Sequence, residues 1–262
     1  MNLLCDRENY TAEISYLNNV FITEYDISKA NISILRSMNI IDQETYEWLY
    51  KAERMKRQIY VGNLQKDQEI AHKLTQGFRA ARRLLFQANN ILDREVLSIK
   101  KDAIFIINRK LQNTKFGLID FVPKNIYTGF YRLNNLEIYY YYNKITQEER
   151  IDVKGINDER LKLHEEFFLQ LLKDIFYTLQ VNGPEVALRM LKDYYMSYIT
   201  RQLPMEHYRR FGGDNSYYVN NAGLILDTTN PAFKDIVDIN YNAIVLMELQ
   251  KIIIDIYFTK HR

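Results

Sequence analysis

Val96-Leu-Ser-Ile-Lys-Lys-Asp-Ala-Ile-Phe-Ile-Ile107 is the stretch of sequence that decides the fold of this chain. Two short apolar runs flank a polar break at Lys100-Lys101-Asp102, which is the pattern of a β-hairpin. The residues before it follow a helical period, so the hairpin marks the point where the chain changes from helix to strand. We therefore predict an α+β fold.

Towards the N-terminus, the pattern predicts one strand and then helices. Asn19 to Asp26 has the β-branched and aromatic content of a strand, and Ser28 to Arg36 begins a helical turn. A helix is predicted from Asp42 to Lys56, with Asp42 as its N-cap. A longer helix is predicted from Lys66 to Asn89. Its expected core face consists of Ile70, Leu74, Phe78, Ala81, Leu85 and Ala88.

Towards the C-terminus, strands come first and helices follow. The predicted strands are Phe116 to Val122, Ile126 to Leu133 after a break at Pro123-Lys124-Asn125, and Leu136 to Tyr142. The predicted helices are Leu161 to Val181, Pro184 to Ile199 and Val237 to Phe258, with a loop from Tyr208 to Tyr218. This order predicts an α+β domain over residues 1–153 and a helical domain over residues 154–262.

Composition excludes several classes of protein. The chain has 262 residues, 47% of them hydrophobic, and a net charge of +2. It is therefore neither a disordered tail nor a fibrous repeat. Its apolar runs are far shorter than the ~18 residues of a membrane span, and the single Cys5 has no partner for a disulfide. We expect a soluble cytoplasmic protein with no membrane partner. The excess of Asn, Ile, Lys and Tyr is typical of an AT-rich genome such as a viral one, for which the cytoplasm is the host's.

Two aspartates carry the chemistry that the sequence predicts. Asp26 ends the first strand, and Asp102 lies at the hairpin turn 76 residues later. Nucleotidyl transfer uses two carboxylates on adjacent strands to hold Mg²⁺ ions ~3.5–4 Å apart. Glu24 lies two residues before Asp26, so strand alternation puts it on the same face. We expect Asp26 and Asp102 to be catalytic, and Glu24 to join them as a metal ligand.

A base-rich segment lies between the two aspartates. From Lys51 to Arg83 there are nine basic residues and three acidic ones. Arg79, Arg82 and Arg83 share one helical face through their i, i+3 and i+4 spacing, and forked guanidinium donors suit phosphate. Tyr127 and Arg132 belong to a run in which aromatic and basic side chains alternate, as in proteins that stack on bases. The partner these residues predict is nucleic acid.

Several of these segments together resemble the palm of template-dependent polymerases. Asp26-Ile-Ser-Lys-Ala-Asn-Ile-Ser-Ile-Leu35 resembles the first palm motif of family B DNA polymerases and its reverse-transcriptase counterpart. The helix containing Gly77-Phe-Arg-Ala-Ala-Arg-Arg83 and the hairpin after it are similar to the second motif, with Asp102 in place of the second metal-holding Asp. Lys124-Asn-Ile-Tyr127 and Lys154-Gly155 are similar to segments that lead into the thumb. The resemblance implies a palm-like antiparallel sheet followed by a thumb-like helical unit, Mg²⁺ as cofactor, and nucleic-acid contacts from Lys124 and Lys154.

The chain also departs from that pattern. Lys100 takes the place of the family's first hairpin Asp, Lys101 lies beside it, and both would face phosphates. Asn31 takes the place of the Tyr that contacts the sugar, and the fingers motif has no counterpart. The spacing of the two aspartates leaves room only for very small fingers, as in reverse transcriptases.

Two functions remain open. The first is a nucleic-acid-binding palm-fold protein, acting as a minimal Mg²⁺-dependent nucleotidyltransferase. The alternative is a catalytically inactive, polymerase-like phage protein that serves a replication or transcription complex, or that forms part of the virion. Simpler roles also exist for each motif: Asp26 as a helix cap, Lys100 to Asp102 as a solvated turn, and the three arginines as an exposed helix face.

Overall fold

The computed structural model describes residues 3–133, 136–154, 166–204, 207 and 239–260. In these ranges the chain is a mixed α+β protein, as predicted. The strands are β1 Asn9–Thr11, β2 Tyr16–Ile27, β3 Val96–Lys100, β4 Ala103–Ile107, β5 Lys115–Phe116, β6 Ile119–Leu133, β7 Leu136–Tyr142 and β8 Glu149–Lys154. The α-helices are α1 Ala30–Ser37, α2 Gln43–Lys51, α3 Arg54–Leu64, α4 Gln68–Asn89, α5 Glu166–Val181, α6 Pro184–Ile199 and α7 Ile239–Lys260.

The strands form a sheet in the order β1-β3-β4-β2-β6-β7-β8, with β5 beside β6. The pairings β1–β3, β2–β4, β3–β4, β5–β6, β6–β7 and β7–β8 are all antiparallel. The predicted hairpin is present as β3 and β4, with Lys101 and Asp102 at its turn. Lys101 adopts a left-handed backbone conformation, with φ of 55°, which lets the chain reverse within two residues.

Contacts divide the chain into two compact units. The first consists of residues 1–13 and 20–126, and the second of residues 14–19 and 127–262. Strands β2 and β6 each contribute residues to both units. The boundary at residues 153 and 154 that the sequence predicts falls inside the second unit, which also contains β7 and β8.

The helices of the first unit follow the predicted pattern, with one interruption. Asp42 caps α2 by accepting a hydrogen bond of 2.7 Å from the Thr45 backbone N–H. The predicted helix to Lys56 is broken, because Ala52 and Glu53 are extended and α3 begins at Arg54. Side-chain donors bind the carbonyl oxygens that a continuous helix would use: Lys29 binds that of Tyr50, and Arg57 binds that of Ala52. These bonds accompany the break that separates α2 from α3.

Helix α4 packs its apolar face into the core of the first unit. Leu74, Phe78, Ala81 and Leu85 are buried as predicted, whereas Ala88 is exposed. Ile70 is partly buried against the same core. Gly77 makes the close approach of α4 to α1 possible, since a Cβ atom there would lie 2.2 Å from Ile34 Cγ2.

Strand β6 differs from the sequence prediction. It runs without interruption from Ile119 to Leu133, through the Pro123-Lys124-Asn125 segment that was expected to separate two strands. The side chains after Pro123 explain this continuity. Lys124 binds Asp26 and Asn125 binds Glu24, so two successive residues anchor β6 to side chains of β2. The short strands β1, β5 and β8 are further additions to the predicted set.

The second unit joins strands β7 and β8 to helices α5, α6 and α7. The ring of Tyr131 stacks on Phe176 of α5 with centroids 3.9 Å apart, and both residues are fully buried. Helix α6 begins at Pro184 as predicted, while the first part of the predicted helix Leu161 to Val181 lies outside the described residues. The predicted loop from Tyr208 to Tyr218 also lies outside them. None of the helices in the described ranges combines the length and hydropathy that a membrane span requires.

Candidate functional site

The pairing of β2 with β4 brings the two predicted aspartates to one end of the strands. Asp26 lies opposite Ala103, the first residue of β4. The next residue along β2, Ile27, donates its N–H to the carbonyl oxygen of Asp102 at 3.4 Å. Backbone pairing therefore fixes the position of Asp26 beside the hairpin turn that carries Asp102.

Both aspartates line a cleft of about 340 Å³ in the first unit. The lining residues come from β2, the hairpin turn, α1 with the preceding Lys29, α3 and β6. Four cationic side chains line the same cleft, so cations outnumber the two carboxylates. The charged lining residues are Asp26, Asp102, Lys29, Arg54, Arg57 and Lys124.

The two carboxylates have different environments. Burial, and then repulsion from Asp26, raise the pKa of Asp102. Asp26 is better compensated, because Lys124 Nζ lies 3.0 Å from its Oδ2 atom. The Oδ1 atom of Asp26 is buried and has no hydrogen-bond partner among the described residues. Burial without a partner is costly for a carboxylate oxygen, so this atom is suited to receive a cation or a donor from a ligand.

Three of the cations that line the cleft come from the segment between the aspartates. Lys29 precedes α1 in a left-handed conformation, with φ of 48°, and its ammonium lies 3.2 Å from the centre of the Tyr50 ring. Burial, and then the nearby Arg57, lower the pKa of Lys29. Arg54 is exposed at the start of α3, and Arg57 follows one helical turn later. Positive charge therefore accumulates in the cleft that contains Asp26 and Asp102.

The acidic residues of the cleft are suited to a metal ion that a ligand's phosphates also bind. They are less suited to an ion that protein groups alone would enclose. Within the described ranges, no group of three or more His, Cys, Asp or Glu side chains is arranged to hold a metal. Glu24 is only 2% exposed, and its Oε2 atom accepts a hydrogen bond of 2.6 Å from Asn125. Mg²⁺ is commonly held by one or two carboxylates together with water and substrate phosphates. Asp26, with its unpartnered Oδ1 atom, and Asp102 match that donor set.

Comparison with known proteins identifies the origin of the chain. Residues 1–255 match the family model described as Bacteriophage PBS1 gene 130 protein. The chain belongs to this phage protein family. A search of curated proteins found no match. The viral origin expected from the composition is therefore confirmed, and the virus is a phage.

In this phage protein, the three arginines of α4 lie away from the cleft and bind the N-terminal segment. Arg83 forms two hydrogen bonds with the Asp6 carboxylate, at 2.6 and 2.8 Å, and Arg79 lies 3.3 Å from Glu8. Arg82 is completely buried. None of the three is among the residues that line the cleft.

Arg82 holds the hairpin turn in place. Its Nε donates to the carbonyl oxygen of Cys5 at 2.8 Å, and its Nη1 donates to that of Lys101 at 2.6 Å. The N–H of Lys101 in turn donates to the carbonyl oxygen of Glu8. Arg82 thus links the N-terminal segment to the turn that carries Asp102, and its hydrogen bonds among the described residues go to backbone carbonyl oxygens.

The other predicted phosphate ligands are divided between the cleft and its surroundings. Asn31 lines the cleft, and its Oδ1 atom is buried without a hydrogen-bond partner among the described residues. Lys100 points elsewhere, with its Nζ atom 3.1 Å from Thr11 Oγ1. Lys101 is exposed, and its ammonium lies 5.4 Å from the centre of the Phe78 ring.

Of the four residues predicted to contact nucleic acid, the structure brings only Lys124 to the cleft. Tyr127 is completely buried in the second unit, where its hydroxyl donates to Asp152, so its ring is not available to a base. Arg132 lines a smaller cavity of about 240 Å³ with acidic residues of α7. Lys154 ends β8, opposite Glu137.

Sequence reasoning missed the cations that do line the cleft. Lys29, Arg54 and Arg57 all lie between the two aspartates, and the last two were counted in the base-rich segment without being assigned a role. Their i, i+3 spacing was the available signal. That spacing indicates a shared face at the start of a helix only once the break between α2 and α3 is known, and the helical period did not predict this break.

Replacing Asp102 and Asp6 should change stability with pH in opposite directions. Because folded Asp102 holds its proton more tightly than the unfolded chain does, its ionisation costs stability as the pH rises above the ordinary carboxyl pKa of about 4. Asp102→Asn should therefore be more stable than the unaltered protein at neutral pH, and this gain should disappear below that pKa. The measurement is urea unfolding across pH in EDTA.

Asp6→Asn is the matched control. The bond from Arg83 lowers the pKa of Asp6, so its stabilising contribution is present above the ordinary pKa and is lost as the pH falls through the lowered one. The variant should be less stable at neutral pH and approach the unaltered protein in acid. A loss of stability at neutral pH in Asp102→Asn would contradict the described environment of Asp102.

Proposed function

We propose that this phage protein binds nucleic acid and that its cleft receives phosphate groups. The observation that carries the proposal is the presence in one cleft of Lys29, Arg54 and Arg57 together with the aspartates Asp26 and Asp102. Arginine and lysine supply most of the affinity of proteins for nucleic-acid backbones. Forked guanidinium groups bind phosphate oxygens through two hydrogen bonds, and the exposed Arg54 is suited to this contact.

The connection of the elements supports a palm-like protein. Strand β2 ends one residue after Asp26, four α-helices follow, and the β3–β4 hairpin then returns with Asp102 at its turn. Strand β4 pairs with β2, so both aspartates lie at the same end of neighbouring strands. This is the arrangement that the resemblance to polymerase palms implies for its two metal-holding residues.

Nucleotidyl transfer in this cleft would require Mg²⁺ as its cofactor. Asp26 and Asp102 would hold it jointly with phosphates of the ligand. When bound, the ion would supply positive charge that neutralises phosphate oxygens. The residues of the chain itself would position the phosphates: Arg54 and Arg57 from α3, and Lys29 from the start of α1.

Removing the two arginines of α3 tests nucleic-acid binding directly. Arg54→Gln with Arg57→Gln should weaken binding of a fluorescent single-stranded oligonucleotide by about a hundredfold or more, because hydrogen bonds to charged groups contribute about 1.5–3 kcal/mol each. The slope of log affinity against log salt should also become shallower by about 1.4, the value expected for two lost phosphate contacts on a single strand. Fluorescence polarisation with DNA and RNA of the same sequence measures both quantities.

The control variant is Arg189→Gln with Lys192→Gln. These exposed residues have the same i, i+3 spacing on α6 and the same total charge, but they lie in the second unit. Binding should remain near that of the unaltered protein. Equal losses in the two double variants would show that net charge alone is responsible, and that the cleft is not the binding site.

Nucleotidyl transfer is the second candidate function. It is favoured by the unpartnered Oδ1 atom of Asp26 beside Asp102, since these carboxylates are the ones a catalytic metal would use. Primer extension in Mg²⁺ should then be abolished by Asp26→Asn or Asp102→Asn and be unaffected by Asp93→Asn, which changes an exposed aspartate. Extension that persists in the first two variants would rule out this mechanism.

A catalytically inactive role is the alternative supported by the ion pair between Lys124 and Asp26. The protein would then bind nucleic acid within a replication or transcription complex, and the unaltered protein would extend no primer. A virion component receives less support. The exposed apolar residues Ile244, Met247 and Phe258 of α7 are interspersed with the polar residues Gln250, Lys251 and Asp255, so they do not form a continuous apolar stripe.

A further inference from the structure

Two consecutive residues of β6 bind two carboxylates of β2. Lys124 Nζ lies 3.0 Å from Asp26 Oδ2, and Asn125 Nδ2 lies 2.6 Å from Glu24 Oε2. Glu24 and Asp102 also lie close enough for their charges to act on the Lys124 ammonium. A single lysine therefore faces the acidic side of the cleft, at the place where a divalent ion would bind.

Lys124 is held in a way that permits its departure. Its side chain is 55% exposed, whereas that of Asp26 is 23% exposed. Among the described residues, the bond to Asp26 is the contact that fixes the ammonium. An exposed lysine has a long flexible stem, so it can leave one partner without disturbing the fold.

Lys124 compensates only part of the negative charge of Asp26 and Asp102. One ammonium is bound to Asp26 Oδ2, while the Oδ1 atom of the same carboxylate remains unpartnered and Asp102 receives no such bond among the described residues. A doubly charged ion between the two aspartates would compensate both of them. The ammonium and the ion compete because both would compensate the charge of the same Asp26 carboxylate, and two cations on one carboxylate repel each other.

We propose that Lys124 is a resident counter-cation that takes the place of the divalent ion in the cleft, so that nucleic acid binds without metal and metal binds only by displacing Lys124. This inference rests on the proposed function, because it concerns the same cleft and the same phosphates. It adds that the metal affinity of the site is set by a residue on β6 that is not itself a metal ligand.

Calorimetric titration of the full chain with MnCl₂ tests the competition. Lys124→Met keeps the length of the stem and removes the charge. It should bind Mn²⁺ about tenfold more tightly than the unaltered protein does, and adding Asp26→Asn should abolish that gain. Lys144→Met, which removes an exposed lysine of the β7–β8 turn, should leave Mn²⁺ affinity unchanged.

Oligonucleotide binding supplies the second readout. In EDTA, Lys124→Met should bind a single-stranded oligonucleotide about tenfold more weakly than the unaltered protein, because the Asp26 charge then repels phosphate. MnCl₂ should restore most of that loss. The unaltered protein should bind almost equally in EDTA and in MnCl₂.

The outcomes separate this inference from the proposed function. Equal or weaker Mn²⁺ binding by Lys124→Met, or no Mn²⁺ binding by any variant, overturns the inference even if oligonucleotide binding still depends on Arg54 and Arg57. Tighter Mn²⁺ binding by Lys124→Met in a protein that binds no oligonucleotide would uphold the competition and reject the proposed function.

Discussion

Repulsion between the carboxylates of Asp26 and Asp102 is the constraint on which the rest of the site depends. The antiparallel register of β2 and β4 brings both residues to one end of the sheet, and neither strand can shift without moving its buried apolar side chains out of the core. Burial and, after it, this repulsion raise the pKa of Asp102. Such a site persists only if cations nearby compensate it.

The compensation comes from residues that lie far apart in the sequence. Lys124 reaches Asp26 from β6, while Lys29, Arg54 and Arg57 line the same cleft from the helical segment between the two aspartates. The break between α2 and α3 allows Arg54 to lie at the start of a new helix. The net effect is a cleft with more positive than negative charge, which suits a phosphate ligand. The N-terminal segment has a different role, because it helps to fix the hairpin turn. Arg82 binds both the segment and the turn, and the carbonyl oxygen of Glu8 accepts a hydrogen bond from Lys101.

Local signals in the sequence were sufficient for much of the fold. The apolar runs on either side of Lys100-Lys101-Asp102 predicted the hairpin, Asp42 predicted the start of α2, and the helical period predicted the core face of α4 except at Ala88. The features that were missed depend on tertiary contacts. Lys29 and Arg57 bind the carbonyl oxygens at the break between α2 and α3. Lys124 and Asn125 bind side chains of β2, and β6 continues past Pro123. No local pattern contains that information.

The same distinction between local signals and tertiary contacts explains why only part of the candidate site was predicted. The aspartates could be found because strand ends and hairpin turns are local features. The phosphate ligands could not be assigned, because Arg79, Arg82 and Arg83 share a helical face that packs against the N-terminal segment, whose contacts the sequence does not reveal. Membership of a phage protein family establishes the origin of the chain. The proposed chemistry rests instead on the residues that line the cleft.

Photo-crosslinking of a single-stranded oligonucleotide, followed by mapping of the modified peptides, tests the central claim most directly. If the cleft receives nucleic acid, crosslinks should concentrate at residues 29–31, 54–58 and 124, which line it. Crosslinks confined to the face of α4 that carries Arg79 and Arg83, or confined to the second unit, would contradict the account.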